Sequence, residues 1–271
     1  MKFSFNEISY KNILSEIETA NSDSLELREL FSCIDNTTLN GDDNKQSLLS
    51  FCQSTMEMCK EVGTNVAAVC VYPTFVHQAK NILKETNIRV ASVAGAFPSG
   101  QTTIQIKKQE VQYALDQGAD EIDFVINRGA FLDGNYNLLS DEVAAAKELC
   151  NEKTLKVIIE TGELKTPENI YNASMLSLEA GADFIKTSTG KIQVGATPEA
   201  AYIMLTAINE FCKKNKKNIG FKAAGGISSI DDALIYYRMA KKIMDNKNIN
   251  KQNFRIGTSR LTKQLVKILT Y

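Results

Sequence analysis

The sequence has few of the residues on which several common enzyme classes depend. Among its 271 residues are one histidine, His77, four prolines and no tryptophan. A single imidazole excludes a zinc site built from two or more histidines and argues against a Ser-His-Asp triad. Chemistry in this chain therefore has to come from lysine, aspartate, glutamate, cysteine or tyrosine side chains.

The cysteines also lack the spacing of a functional motif. None of the six forms a Cys-X-X-Cys pair, and most lie within apolar stretches. This pattern is typical of reduced cysteines that pack in the core of a cytoplasmic protein. We therefore expect no zinc ligand set.

Long apolar runs and a strong net charge are missing as well. The longest apolar run, residues 66–71, is far shorter than the roughly 20 residues that cross a bilayer. The first residues, MKFSFNEISYKN, lack the apolar core of a secretory signal. The formal net charge is −1, which excludes a basic nucleic-acid arm. We therefore expect a cytoplasmic protein without a membrane or nucleic-acid partner.

What the sequence does contain is a regular alternation of strand-like and helix-like segments. Short runs rich in β-branched residues predict eight strands, at residues 31–35, 66–71, 89–94, 121–126, 155–160, 183–187, 219–223 and 254–257. Segments of helical character lie between them, among them residues 44–62, 104–117, 136–150 and 198–213. This order predicts a TIM (β/α)8 barrel that forms a single domain over residues 1–271.

Two features complete the fold prediction. Residues 1–30 are expected to form an extra amphipathic helix that caps the barrel floor. The alternative fold is a doubly wound open sheet, which usually carries a glycine-rich fingerprint after its first strand. The segment after the first predicted strand reads Asp-Asn-Thr-Thr-Leu from Asp35 to Leu39, and this favours the barrel.

Charged residues interrupt strands that should be packed. Lys186 and Lys222 lie in the middle of the sixth and seventh predicted strands. In the fourth strand, period-two alternation turns Glu121, Asp123 and Val125 inward, with Ile122, Phe124 and Ile126 outward. Asp35 and Glu160 end the first and fifth strands. One end of the lumen is therefore expected to hold two lysines and two or three carboxylates.

Two lysines at one site would lower each other's pKa, because burial and a like charge both disfavour the ammonium. A neutral lysine amine is the nucleophile that forms a Schiff base with a carbonyl substrate. Asp123 could pair with one ammonium and relay protons. Two other interpretations remain open from the residues alone: lysines at the rim that reach solvent, and Asp123 as a structural ion-pair partner.

The loops after the last three strands are rich in small residues. They read Ser-Thr-Gly-Lys to Lys191, Ala-Gly-Gly-Ile-Ser to Ser228, and Gly-Thr-Ser-Arg to Arg260. Small residues let backbone N–H groups approach an anion, and barrels commonly bind phosphate at the loops after strands seven and eight. Any one of these loops could be a plain turn, but together they favour a phosphorylated substrate.

Two further residues have weaker arguments. Cys70, at the end of the second strand, could be a nucleophile, although a structural or pocket-lining position suits it better because no histidine is near in sequence. The last residue, Tyr271, is either a simple chain end or a phenol that reaches the barrel mouth.

Several sequence blocks together resemble deoxyribose-phosphate aldolase. They are FIKTSTGK (184–191), LKVIIETGEL (155–164), GFKAAGG (220–226), DNTTL (35–39), VCVYP (69–73), GADEID (118–123) and FRIG (254–257). The first of these blocks is highly specific, and the set covers most of the chain in order. Two positions depart from the pattern: Ala223 stands where the family often has proline, and Arg260 where many members have a small residue.

The resemblance implies a metal-free class I aldolase without a cofactor. Its reaction is the reversible cleavage of 2-deoxy-D-ribose 5-phosphate to acetaldehyde and D-glyceraldehyde 3-phosphate. It implies that Lys186 forms the Schiff base and that Asp123 and Lys222 relay protons. The expected residues around the substrate and its phosphate are Asp35, Thr37, Cys70, Thr189, Gly190, Lys191, Gly225, Gly226, Ser259 and Arg260.

Two other functions stay open at this point. One is a different barrel enzyme acting on a sugar phosphate, such as a transaldolase-like lyase or an isomerase. The other is a barrel that binds a phosphosugar without turning it over. The state of assembly is also open, with a homo-oligomer among the alternatives.

Overall fold

A computed structural model describes residues 3–18, 22–244 and 249–270 of the chain. Within these residues, eight parallel strands close into a barrel. The strands are β1 Ile34–Thr37, β2 Ala68–Val71, β3 Arg89–Ala94, β4 Glu121–Val125, β5 Thr154–Ile158, β6 Phe184–Lys186, β7 Gly220–Ala224 and β8 Phe254–Thr258. The helices are α1 Glu7–Glu18, α2 Ser24–Ser32, α3 Lys45–Val62, α4 Val76–Leu83, α5 Ile104–Asp116, α6 Arg128–Leu132, α7 Tyr136–Cys150, α8 Thr161–Leu164, α9 Pro167–Glu179, α10 Pro198–Asn215, α11 Ile230–Ile243 and α12 Leu261–Leu269.

Each strand pairs in parallel with the next one along the chain, and β8 closes the sheet against β1. The prediction of a TIM barrel is confirmed, and the doubly wound open sheet is wrong. The register places Lys186 beside Lys222 and Asp123 beside Lys156. The fold therefore brings charged residues of neighbouring strands to similar heights in the lumen.

The alternation predicted for the strands is also found. Ile122, Phe124 and Ile126 pack in the apolar layer between the sheet and the helices, as do Phe221 and Ala223. This layer buries the outward face of the barrel, which leaves the inward positions of the same strands to the lumen. Among the described helices, none has both the length and the hydropathy needed to span a bilayer.

The start of the chain differs from the prediction in two ways. Residues before β1 form two helices instead of one, because Asp23 accepts a hydrogen bond from the Glu26 amide (2.8 Å) and so begins a new helix. Phe31, expected in the first strand, is buried near the end of α2, and β1 starts at Ile34.

Of the two helices described before β1, α2 is the one at the barrel floor. Arg28 on α2 donates to the carbonyl of Val62, the last residue of α3, and this end of α3 lies at the amino ends of the strands. Helix α1 instead packs on the outside of the barrel, where the Tyr10 ring lies 5.6 Å from the Tyr202 ring of α10. The expected capping helix is therefore α2 alone.

Candidate active site

A cluster of buried charges fills the lumen, and Asp123 of β4 lies at its centre. The ammonium groups of Lys186 and Lys222 donate to the same oxygen, Oδ2, at 2.6 and 2.8 Å. Lys156 of β5 donates to the other oxygen, Oδ1, at 2.9 Å. Asp123 is fully buried and Lys186 is 3% exposed. The two lysines and the aspartate predicted from the sequence therefore meet, and the interpretation of Lys186 and Lys222 as solvated rim residues is wrong.

A second layer of charges lies beneath Asp123. Asp35 accepts from Lys222 (2.5 Å) and from Arg255 (2.6 Å), and its carboxylate is 3.3 Å from the Lys156 ammonium. Arg255 also pairs with Glu121 at 2.7 Å, and Glu121 contacts Lys156. In the described part of the lumen, three carboxylates thus face four cations.

The two lysines that share Asp123 have opposite pKa shifts. Burial lowers the pKa of Lys186, and the neighbouring Lys222 lowers it further, against the opposing effect of Asp123. Burial also acts to lower the pKa of Lys222, but Asp123 and Asp35 together raise it above its usual value. The same competition between burial and neighbouring carboxylates raises the pKa of Lys156. Lys186 is therefore the amine most easily made neutral, which is the nucleophilic form.

The carboxylates remain ionised. Burial acts to raise the pKa of Asp123, yet the surrounding lysines hold it well below its usual range. Asp35 is held low in the same way by Arg255 and the lysines. For Glu121, Lys156 and Arg255 overcome burial and lower the pKa to about 2. The site thus combines ionised acceptors with one lysine of weakened basicity.

A cavity of about 440 Å3 opens above this cluster, at the carboxyl ends of β1, β6, β7 and β8. Lys186 lines it, whereas Lys222 and Asp123 lie below. Nine of the predicted site residues line the cavity: Thr37, Lys186, Thr189, Gly190, Lys191, Gly225, Gly226, Ser259 and Arg260. A ligand in this cavity therefore has access to one lysine of the buried pair.

The glycine-rich wall of the cavity is suited to an anion. Gly190, Gly225 and Gly226 have φ angles of 75°, 86° and 80°, a conformation that glycine adopts without strain. Arg260 is exposed at the start of α12 and lines the cavity. A phosphate site is usually built from glycine-rich loops, the N-terminus of a helix and a nearby cation. This wall has all three.

Two of the predicted binding residues lie outside the cavity lining. Asp35 is fully buried, and both of its oxygens are occupied by Arg255 and Lys222, so it supports the cluster from below. Cys70 is also fully buried, with Sγ 3.9 Å from Asp123 Oδ2. Burial raises the pKa of the Cys70 thiol to about 11, so it is not a thiolate near neutral pH. Tyr271 lies outside the described residues.

Glu160, expected in the lumen as a third carboxylate, turns elsewhere. It accepts from the Thr189 hydroxyl (2.5 Å) and the Thr189 amide (3.2 Å), and so braces the loop after β6. The residue has φ 56°, and this left-handed backbone redirects its side chain at the end of the strand. The third carboxylate of the lumen is Glu121, which alternation had placed inward.

The sequence reasoning missed Lys156 and Arg255. A usable signal was present, because Leu155 and Val157 flank the first and Phe254 and Ile256 flank the second, all four in the outer apolar layer. The alternation that turned Lys222 inward applies equally to these two residues.

The comparisons with known proteins agree with this geometry. The family model described as "DeoC/LacD family aldolase" matches residues 30–250. A deoxyribose-phosphate aldolase of Homo sapiens is 43% identical over 244 residues, which are 86% of this chain and 77% of that protein. A deoxyribose-phosphate aldolase of Bos taurus is 41% identical over 247 residues, 87% of this chain and 78% of that protein.

Solved structures support the fold. A deoxyribose phosphate aldolase from Aeropyrum pernix matches with a TM-score of 0.72 and 24% identity, over 95% of this chain and 96% of that one. The aldolase QR15 matches with a TM-score of 0.70 and 29% identity, over 88% and 96% of the two chains. The resemblance seen in the sequence motifs is confirmed, and the protein is an enzyme of the lyase class. The chain belongs to the DeoC/LacD family of aldolases.

Proposed function

We propose that the protein reversibly cleaves 2-deoxy-D-ribose 5-phosphate to acetaldehyde and D-glyceraldehyde 3-phosphate through a Schiff base on Lys186. The observation that carries this proposal is a cavity-lining lysine whose pKa is lowered and whose amine contacts a buried, ionised aspartate. The names of the curated relatives support the choice of substrate.

The first half of the reaction uses the neutral amine. Lys186 Nζ attacks the C1 carbonyl of the open-chain sugar, and loss of water from the carbinolamine forms an iminium. Removal of the proton from the C3 hydroxyl then breaks the C2–C3 bond, and the electron pair moves to the iminium nitrogen to give an enamine. D-glyceraldehyde 3-phosphate leaves with C3 as its new carbonyl carbon.

The second half returns the enzyme to its starting state. Protonation of the enamine at C2 gives the iminium of acetaldehyde, and water hydrolyses it to release acetaldehyde and the Lys186 amine. Asp123 and Lys222 are suited to move these protons. The Asp123 Oδ2 atom accepts hydrogen bonds from both Lys186 and Lys222, so both groups lie next to the reacting nitrogen. Gly225, Gly226, Ser259 and Arg260 would hold the phosphate at the other end of the cavity.

A product assay separates this function from its alternatives. The purified protein is given 2-deoxy-D-ribose 5-phosphate, and acetaldehyde and D-glyceraldehyde 3-phosphate are measured separately. We expect equal amounts of the two products and their loss in Lys186→Arg, while Lys80→Arg, a control at a partly exposed ion pair, keeps activity. Binding without product release, or formation of an isomeric sugar phosphate that persists in Lys186→Arg, would contradict the proposal.

Other expectations from the sequence stay predictions. They are a cytoplasmic location, a single domain over the whole chain, and the absence of a nucleic-acid partner or cofactor.

A further inference from the structure

The four cations in the lumen differ in how many carboxylates they contact. Lys156 contacts three carboxylates, and Lys222 and Arg255 contact two each. Lys186 contacts Asp123 alone, at the oxygen that it shares with Lys222. Among these four cations of the described lumen, Lys186 therefore has the fewest carboxylate partners.

The charge balance of the lumen disfavours the protonated form of Lys186. Three buried carboxylates are neutralised by three cations, and Lys156, Lys222 and Arg255 are the cations held most firmly. A fourth full charge in the same lumen would be buried without a counterion of its own, which is costly in a medium of low dielectric. A buried lysine in that position releases its proton more readily.

We propose that Lys156 and Glu121, which lie beneath the cavity and do not line it, are positioning residues that set the protonation of Lys186 through the charge balance of the lumen. Lys156, together with Lys222 and Arg255, balances the three carboxylates, so the charge of Lys186 is not needed for neutrality. Glu121 holds Lys156 and Arg255 in the lower layer. This inference rests on the function proposed above, since it explains how the proposed nucleophile becomes neutral.

The remaining groups around the lumen leave this balance unchanged. The Cys70 thiol is uncharged near neutral pH, and the Glu160 carboxylate is bound to Thr189. Arg89 pairs with Glu121 but is 41% exposed, so solvent screens it. At the mouth, Lys191 donates to the Leu39 carbonyl and Arg260 is exposed. Besides Lys186, the titratable groups that the strands contribute to this cluster are Asp35 (β1), Cys70 (β2), Glu121 and Asp123 (β4), Lys156 (β5), Lys222 (β7) and Arg255 (β8).

Two substitutions that change the charge of the lumen in opposite directions test the proposal. Lys156→Met removes a cation, so the three carboxylates should draw a proton onto Lys186 and raise its pKa. Glu121→Gln removes an anion, so the pKa of Lys186 should fall. Each shift is expected to be about 1–3 pH units, the range for a nearby charge in a buried site. The double variant loses one cation and one anion, so the pKa of Lys186 should be close to its value in the parent protein.

The pKa of Lys186 is read in two ways. Competitive acetylation with acetic anhydride across a pH series, followed by peptide mass spectrometry, follows the free amine without any turnover. The acidic limb of the kcat/KM profile follows the same group during catalysis. Because only the neutral amine attacks, this limb should move to higher pH in Lys156→Met and to lower pH in Glu121→Gln.

The control is Lys80→Met, which makes the same change of net charge at a pair that is 38% and 31% exposed. It should leave both readouts unmoved, and thermal melting checks that every variant is folded. If Lys156→Met does not fold, the downward shift in Glu121→Gln still decides the matter.

Shifts of the same direction in both variants, or none in either, would overturn the inference. Failure of the proposed function is a different result. The parent protein would then release no acetaldehyde, while acetylation would still report the pKa of Lys186.

Discussion

Replacement of Gly195 by alanine tests how the anion-binding wall of the cavity is held. Gly195 lies in the loop between β6 and α10, against Gly225 in the loop after β7. A Cβ atom at this position would lie 2.3 Å from the Gly225 carbonyl oxygen and 2.8 Å from its Cα. Both atoms belong to the backbone, so a rotamer change cannot relieve the contact.

The required movement can be sized from these distances. Ordinary contact begins near 3.4 Å, so the Gly225 backbone and the Gly195 loop must separate by roughly 1 Å. The two loops are also joined by the Ala196 amide, which donates to the carbonyls of Ala224 (3.1 Å) and Gly225 (3.0 Å). A misplacement of about 1 Å can cost about 100-fold in rate.

The assay compares 2-deoxy-D-ribose 5-phosphate with unphosphorylated 2-deoxy-D-ribose. In Gly195→Ala we expect KM for the phosphorylated sugar to rise by about 10- to 100-fold, and kcat/KM for the unphosphorylated sugar to change little. The matched control is Gly41→Ala, where a Cβ atom meets nothing within 4 Å. An unchanged KM for the phosphorylated sugar, or equal losses with both sugars, would refute the argument that this wall binds phosphate.

Two further predictions concern the same cavity. Arg260→Ala should raise KM for the phosphorylated sugar by more than for the unphosphorylated one, because Arg260 lines the cavity at the start of α12. Steady-state kinetics with both sugars measures the two changes, and equal effects would remove Arg260 from the phosphate site. Metal chelators should leave the rate of acetaldehyde release unchanged, since the proposed steps need only lysine and aspartate groups; a loss that added metal restores would contradict them.

Much of the site could be predicted because strand alternation and strand order are local properties. Alternation placed Asp123 and Lys222 in the lumen, and the order of strands and helices predicted a barrel whose strand ends converge. The small residues after β6, β7 and β8 predicted an anion-binding wall, and they do line one cavity. These features depend on residue type and spacing, which the sequence contains.

Other features depend on three-dimensional details. Glu160 leaves the lumen because of its left-handed backbone, which residue spacing does not reveal. Phe31 would be buried in either a strand or a helix, so its apolar side chain does not distinguish the two. In the structure it belongs to α2, the helix that Asp23 caps. From the residues alone, Lys186 and Lys222 were equivalent as nucleophiles. The structure distinguishes them, because Lys222 is held between two carboxylates and Lys186 faces the cavity.

Reductive trapping tests the central claim most directly. The protein is incubated with acetaldehyde and sodium borohydride, digested, and its peptides are mapped by mass spectrometry. Reduction of the iminium should leave a single ethyl group on Lys186, and Asp123→Asn should lower its yield because Asp123 contacts the amine. An unmodified protein, or an ethyl group on Lys222 alone, would contradict the assignment of Lys186 as the lysine that forms the Schiff base.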